Sequence, residues 1–189
     1  MFTASAFSLP CRGDDAVALF TAAQFGLISI VQAYRSGLSP GDVAERLHRG
    51  VWMRTPHRNV YRVRGGAHGA SPLNRAVMAA RLALAPGAFA CHETAARLWR
   101  LEGLPPWDGR TVHMGVSSRG GALPAGVRAH AVHVADTDLV WRAPFLLTGV
   151  VRTLHDMAGS VEPRTFSRLL DSAVSRGLVA PGAVAGRGT

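Results

Sequence analysis

The sequence predicts an α+β protein built from two consecutive segments. Runs with apolar residues at helical spacing alternate with short β-prone runs along the 189-residue chain. Hydrophobic residues make up 48% and charged residues 17% of the sequence, which is typical of a globular protein and not of a disordered one. The length allows one compact domain or two small ones.

The net charge of +9 is concentrated in one window of the chain. All 21 basic residues are arginine, which a GC-rich genome explains without reference to function. Residues 46–100 contain ten arginines and one acid, Glu93, so this window carries the whole excess. A basic stripe is typical of a polyanion partner, and the arginine fork fits phosphate and the guanine edge. A solvated charged face is the alternative.

Three short helices are predicted after a tail at residues 1–13. Residues 14–25 have helical spacing of apolar residues and acids in the first turn. Ser29 is a suitable cap for a second helix at 30–36. The motif SPGD at 39–42 gives an N-cap, a proline at the first helical position and an acid three residues after the cap. It predicts a third helix that ends near residue 48.

A basic β-hairpin is predicted next. The β-prone runs VWMR (51–54) and VYRVRG (60–65) flank the turn sequence TPHRN (55–59). Three short helices followed by a hairpin are the layout of a winged helix-turn-helix. That fold places its recognition helix in the DNA major groove and its hairpin, the wing, on the backbone or minor groove. We therefore predict that residues 14–68 form a winged helix-turn-helix DNA-binding domain.

The second segment, residues 69–180, is predicted to be a mixed α/β domain followed by a frayed tail at 181–189. Its predicted helices cover 73–84, 93–101, 150–158 and 163–176. Its predicted strands cover 89–91, 111–116, 127–134 and 141–147, with a Gly/Ser/Pro loop at 117–126.

Nine residues of the first segment are candidate DNA contacts because they are basic or polar and lie on the second helix, the third helix or the wing: Gln32, Arg35, Arg46, Arg49, Arg54, His57, Arg58, Asn59 and Arg62. The alternatives are a solvated hairpin, turn chemistry for the asparagine, and complementation of the helix dipole by the two arginines that end the third helix. Two acids on the third helix, Asp42 and Glu45, disfavour phosphate, so the wing is the stronger candidate.

The second segment shows no pattern typical of an enzyme or a cofactor site. His92 and Glu93 lack a nearby nucleophile or second carboxylate, so they are predicted to start a helix and the protein is predicted not to be an enzyme. His113, His130 and His133 lack a carboxylate or cysteine at supporting spacing, so histidines on an edge strand or on the surface are favoured over a metal site. Neither a metal nor a cofactor is predicted.

The chain is predicted to be cytoplasmic. The two cysteines, Cys11 and Cys91, lie far apart and form no disulfide framework, which indicates a reducing compartment. No apolar run reaches the ~18 residues of a membrane span, and the apolar start lacks the basic leader of a secretory signal. No membrane partner is expected. Arg152 and Asp156 are predicted to form an i, i+4 ion pair on a helix surface.

Several runs of the second segment resemble a known family in their order. They are CHETAARLWRL (91–101), VHMGV (112–116), VRAHAVHVADTDL (127–139), LTGVVRTLHDMA (147–158) and EPRTFSRLLDSAVSRGL (162–178). After a winged helix, this order resembles the AbiEi-type antitoxins of bacterial type IV toxin–antitoxin systems, in the actinobacterial style. Arg100 and Val150 depart from the glycine and proline of the family pattern. Many relatives also continue into a nuclease-like domain.

The resemblance implies a DNA-binding antitoxin of a phage-defence system. Such a protein represses its own operator, here expected to be an inverted repeat bound by a monomer or a dimer. It counters a nucleotidyltransferase-like toxin, by direct contact or indirectly. A stand-alone protein-interaction module, or a truncated regulatory half of a nuclease-bearing relative, is the alternative.

Overall fold

The computed structural model describes residues 11–66, 69–84, 86–116, 123–131 and 133–182. Within these ranges the chain forms seven α-helices and eight strands in two sheets, so the predicted α+β class is confirmed. Two compact units divide the chain, Met1–Ala83 and Leu84–Thr189. This division lies 15 residues after the boundary expected from the sequence. Most of the predicted tails and of the loop at 117–126 lie outside the described residues.

The first unit contains four helices and three strands. They follow the order α1 (Gly13–Ala23), β1 (Leu27–Ser29), α2 (Ile30–Arg35), α3 (Pro40–His48), β2 (Trp52–Arg54), β3 (Val60–Val63) and α4 (Pro72–Ala83). The three predicted helices and the predicted hairpin are confirmed. Helix α4, which the sequence assigns to the second segment, packs against β1 and β3 and thus belongs to the first unit.

Capping boxes begin both central helices of the first unit. The Ser29 hydroxyl accepts a hydrogen bond from the Gln32 amide, and the Gln32 side chain accepts one from the Ser29 amide. Ser39 and Asp42 form the same reciprocal pair at the start of α3. These bonds satisfy amides that have no partner within the helix, so they fix where α2 and α3 begin.

A three-stranded antiparallel sheet, in the order β1-β3-β2, forms one side of the first unit. One face of this sheet covers the helices. The buried core of the first unit contains Val17, Ile28, Ala33, Leu38, Val43, Trp52 and Tyr61. The sequence did not predict β1. Its three residues, Leu27, Ile28 and Ser29, are all buried and show no alternation, and the pairing of β1 with β3 joins residues more than 30 positions apart.

The second unit contains three helices and five strands among its described residues. They follow the order β4 (Phe89–Ala90), α5 (His92–Leu98), β5 (Val112–Val116), β6 (Val127–Ala131), β7 (Leu139–Arg142), β8 (Phe145–Thr148), α6 (Val150–Ala158) and α7 (Pro163–Ser175). The single strand predicted at 141–147 is wrong. Ala143 and Pro144 turn the chain there, and β7 and β8 pair as an antiparallel hairpin.

The second sheet has the order β6-β5-β4-β8-β7 and is mixed. Pairs β5–β6 and β4–β8 are parallel, and the other pairs are antiparallel. Helices α5, α6 and α7 enclose a core that includes Ala96, Leu154, Met157, Leu169 and Ala173. Among the described residues, no helix is both long and apolar enough to cross a lipid bilayer.

Candidate functional site

The exposed arginines of the first unit form its most charged surface feature. Arg54 ends β2, Arg58 lies in the hairpin turn and Arg62 lies on β3, and all three are exposed. Arg35 and Arg49 are exposed at the C-terminal ends of α2 and α3. In the part of the chain that the structure describes, none of these five guanidinium groups forms an ion pair. They are therefore available to an anionic partner.

The hairpin presents its arginines on two sides. Arg54 lies opposite Tyr61 in the β2–β3 register, so these two residues share a face of the sheet. Arg62 follows Tyr61 and lies opposite Met53, so it belongs to the other face. Arg58 lies at the tip between them. The three predicted wing contacts thus surround the hairpin instead of lying on one face.

A groove beside α3 brings one wing arginine close to the third helix. The groove has a volume of about 480 Å³, and Arg54 lines it together with Tyr34, Ala44, Leu47 and His48. Another recess of the first unit is lined by Arg49 and Arg64, the latter an exposed arginine just after β3. Exposed arginines therefore flank both sides of α3.

Arg46 differs from the other predicted arginine contacts. Its guanidinium donates to Asp14 Oδ1 at 2.8 and 3.3 Å and to the Asp42 carbonyl at 3.0 Å. Its side chain is 22% exposed. The ion pair already neutralises this charge and fixes the side chain between α1 and α3, so Arg46 has a structural role.

Gln32 is also occupied by contacts within the first unit. Its amide oxygen accepts hydrogen bonds from the Ser29 amide and from the Gln24 side chain. Its amide nitrogen donates to the Gln24 oxygen at 2.8 Å. These bonds hold the side chain at the start of α2, so the structure assigns it to the cap and not to a protruding surface contact.

The two remaining predicted contacts lie in the hairpin turn and differ in exposure. His57 is buried, and its Nδ1 has no hydrogen-bond partner among the described residues, so its ring is not presented to a partner. Burial also lowers the pKa of His57 below its ordinary value. Asn59 is exposed with a φ of 62°, a left-handed conformation that asparagine tolerates in turns. Turn geometry therefore accounts for Asn59.

Asp42 at the start of α3 is held in its charged form by the capping contacts, so it remains unfavourable to a bound anion. Asp42 accepts hydrogen bonds from the Ser39 amide and hydroxyl, at 2.8 and 2.6 Å. These bonds hold the pKa of Asp42 below its ordinary value, and the carboxylate remains at the positive end of the helix dipole. Glu45 is the remaining exposed acid of this helix.

A cluster of histidines lies in the second unit, where the sequence analysis favoured surface histidines. The His92 and His130 rings stack with centroids 3.7 Å apart. His113 Nδ1 lies 3.0 Å from His130 Nε2. His113 is buried beneath α5, so the expectation of a surface position is wrong for this residue. His133 is exposed and lies outside these contacts.

Buried polar groups surround the histidine cluster. The fully buried thiol of Cys91 precedes His92 at the start of α5. Asp156 is 8% exposed and accepts a hydrogen bond from Arg152 at 2.8 Å, so the predicted ion pair is confirmed but is not a surface pair. The other carboxylate oxygen of Asp156 and His92 Nδ1 lie 4.0 Å apart, and neither has a hydrogen-bond partner among the described residues.

Two imidazoles of the cluster, His92 and His113, have pKa values below the ordinary value. Burial is the main reason that the pKa of His113 falls to about 4, and the neighbouring His130 and His92 add repulsion to its charged form. Burial also lowers the pKa of His92, against the opposing effect of Asp156. Burial raises the pKa of the Cys91 thiol far above its ordinary range. Neutral imidazoles have a nitrogen lone pair available for ligation.

Sequence spacing alone could not reveal this cluster. His92 and His113 come together through the antiparallel pair β4–β5, and His130 joins them through the parallel pair β5–β6. The consecutive Cys91 and His92 were the available signal, because both are ligand types.

Comparison with known proteins assigns no family to the chain. No protein-family model matches it, and no curated protein matches it significantly. The arginine surface and the histidine cluster lie in different compact units.

Proposed function

We propose that this protein is a DNA-binding transcriptional repressor whose first unit acts as a winged helix-turn-helix. One observation carries the proposal. Five predicted DNA-contact arginines are exposed at the ends of α2 and α3 and around the hairpin, and no described acid pairs with them. An unpaired guanidinium can bind phosphate without first giving up an internal partner.

The order and packing of the elements also support this proposal. Three helices precede an antiparallel hairpin, and α3 occupies the chain position of a recognition helix. The exposed residues of α3 include Ala44, Glu45 and His48. An alanine can contact the thymine methyl group and a glutamate can accept from the cytosine amine. The arginines then supply backbone affinity, and this short set of side chains supplies base selectivity.

We further propose, from the resemblance to AbiEi-type antitoxins, that the DNA is the operator of the protein's own gene pair. The protein would bind an inverted repeat in the cytoplasm, as a monomer or a dimer. Its second unit would counter a nucleotidyltransferase-like toxin, directly or indirectly. In this role the protein is not an enzyme.

The shared runs of that resemblance lie mostly in the core of the second unit. Ala96, Leu154 and Ala173 are each fully buried, and they lie in the runs 91–101, 147–158 and 162–178 respectively. Trp99 of the run 91–101 donates to the Thr148 carbonyl of the run 147–158 at 2.8 Å. The runs therefore support a shared fold for this unit, while the DNA-binding proposal depends on the arginines of the first unit.

The test is DNA binding by the full chain, measured by fluorescence anisotropy on a fragment from upstream of its own gene. The variant that combines Arg54→Glu, Arg58→Glu and Arg62→Glu should lose binding and keep its circular dichroism spectrum. Wild-type affinity should fall steeply with salt, by about 0.9 log–log units for each phosphate contact. Arg164→Glu reverses an exposed arginine of the second unit and is the matched control. Unchanged affinity in the triple variant would contradict the proposal.

A second candidate function, a protein-interaction module, is favoured by the edge strand β7. Its Trp141 is 57% exposed and Val140 is also exposed. Exposed aromatic residues are enriched at protein interfaces. Co-purification with the neighbouring gene product at high salt, lost on Trp141→Ser, would support this function. Steep salt-dependent DNA binding without such a complex would instead support the repressor.

A further inference from the structure

We propose that the second unit holds a transition-metal site, with Zn²⁺ as its ion, formed by Cys91, His92 and His130. Their ligand atoms, one from each residue, all lie within 4.8 Å of one another. Cys91 and His92 are consecutive at the start of α5, and His130 lies on β6 at the edge of the sheet. The site therefore connects a helix start to an edge strand.

The separation of the three donors is compatible with three positions of a tetrahedral zinc site after small side-chain movements, and a water molecule would take the fourth position. Zinc–ligand bonds of about 2.0–2.3 Å place neighbouring ligand atoms roughly 3.3–3.6 Å apart. The stacked rings of His92 and His130 would rotate to point their nitrogens at one ion. Rotation about χ2 of histidine is soft, so this movement requires no shift of the sheet.

Two further residues border the proposed site. His113 Nδ1 lies 3.0 Å from His130 Nε2. Asp156 Oδ2 lies 4.0 Å from His92 Nδ1, and both atoms are buried without a hydrogen-bond partner among the described residues. Metal-binding histidines are commonly oriented by a carboxylate behind them. We assign that orienting role to Asp156, which Arg152 holds from its other side.

Two observations distinguish this cluster from an ordinary part of the core. Buried polar atoms without partners are rare and cost stability. The facing pair of Asp156 Oδ2 and His92 Nδ1 therefore indicates that the cluster binds a further ligand or a proton. His92 also has a φ of +48°, a left-handed conformation that is unusual for a residue other than glycine. Such strain concentrates at functional sites. An open recess of about 320 Å³ borders Asp156 and Arg152.

The donor types select the ion. One thiolate and two imidazoles favour Zn²⁺ and its neighbours in the first transition row over Mg²⁺ or Ca²⁺, which prefer oxygen ligands. Binding would convert the Cys91 thiol to a thiolate, with release of one proton to solvent. The negative carboxylate of Asp156 would offset part of the charge that the ion brings into the buried site.

The test is metal binding by the tag-free, metal-free full chain, with Co²⁺ as the spectroscopic probe and Zn²⁺ as the competitor. We expect one Co²⁺ per chain, a thiolate-to-cobalt charge-transfer band, and displacement of Co²⁺ by Zn²⁺ but not by Mg²⁺. Cys91→Ser should remove the charge-transfer band. His130→Gln should lower affinity at least about 100-fold, and Asp156→Asn about 10- to 100-fold.

Matched controls come from the same residue types outside the cluster. Cys11→Ser and His133→Ala should bind Co²⁺ as the wild type does. If Cys91→Ser does not fold, as judged by circular dichroism, His130→Gln on the edge strand decides the question. The proposal is overturned if the chain binds no stoichiometric Co²⁺, if Cys91→Ser and His130→Gln bind as the wild type does, or if a control variant loses binding.

Discussion

The carboxylate of Asp14 accepts two hydrogen bonds from the guanidinium of Arg46, at 2.8 and 3.3 Å, and so joins helices α1 and α3. This contact distinguishes Arg46, which is bound within the first unit, from the exposed arginines around it. Asp14 is 77% exposed, and ion pairs at such surfaces contribute about 0–1 kcal/mol to stability. The contact therefore holds the Arg46 side chain in place but contributes little to the stability of the fold.

A first prediction follows from this difference between arginines. If the first unit binds DNA as proposed, Arg58→Ala should reduce the salt dependence of binding by about one unit of log–log slope, because it removes the proposed phosphate contact at the hairpin tip. Arg46→Ala should leave that slope unchanged, because its charge is already paired with Asp14. Anisotropy titrations at several salt concentrations measure both slopes. Equal losses in the two variants would show that Arg46 leaves its ion pair to bind DNA.

A second prediction concerns the start of α3. Ser39→Ala removes the capping hydroxyl and should lower the free energy of unfolding by about 1 kcal/mol. Ser39→Asn should retain most of the stability, since asparagine caps equally well. Thermal melts of the full chain measure the effect. Ser167→Ala, an exposed serine within α7, is the control and should change little.

A third prediction is a pH dependence from His57. Burial lowers the folded-state pKa of His57 below 6.5, so the folded state binds fewer protons than the unfolded state under mildly acidic conditions. The lowered pKa of His57 therefore leaves stability unchanged well above pH 6.5 and destabilises the fold progressively as pH falls from 6.5 to the folded pKa.

The measurement for His57 is a comparison of two pH profiles. His57→Phe cannot titrate and should melt at or above the wild-type temperature at pH 7, since it removes a buried nitrogen without a described partner. Its melting temperature should then fall less steeply than that of the wild type below pH 6.5. Parallel profiles would show that His57 titrates normally in the folded protein.

A fourth prediction concerns packing in the second sheet. A Cβ atom added at Gly115 would overlap the ring of Phe89 on the neighbouring strand. Gly115→Ala should therefore lower the free energy of unfolding by about 1–3 kcal/mol. Phe89→Leu in the same chain should recover part of that loss, and a double-mutant cycle in chemical denaturation measures the coupling. If the effects of the two substitutions are additive, the Phe89 ring does not contact position 115.

Local signals in the sequence predicted most elements correctly. Serine caps and the SPGD motif define α2 and α3, because their hydrogen bonds form within a few residues. The strand β1 was missed because only its distant partner β3 defines it. The β7–β8 turn was missed although Pro144 interrupts the predicted strand at 141–147. Proline is disfavoured within a strand, so it was the available signal for this turn.

The candidate site residues show the same difference between local and distant information. Charge clustering correctly located exposed arginines, because charge is a property of each residue. It could not identify the partner of Arg46, since Asp14 lies 32 positions away. The contact between His113 and His130 depends on the parallel pairing of β5 with β6, which residue types do not encode locally.

The placement of Arg54 and Arg62 on opposite faces of one hairpin would limit the shape of an anionic partner that contacts both arginines. A planar anionic layer, such as a lipid headgroup surface, would meet one face and leave the arginine of the other face in solvent. A ridge of phosphates that curves around the hairpin meets both. A polymer with a groove between two phosphate strands has this curvature. The hairpin is therefore better suited to insertion into such a groove than to lying on a flat surface.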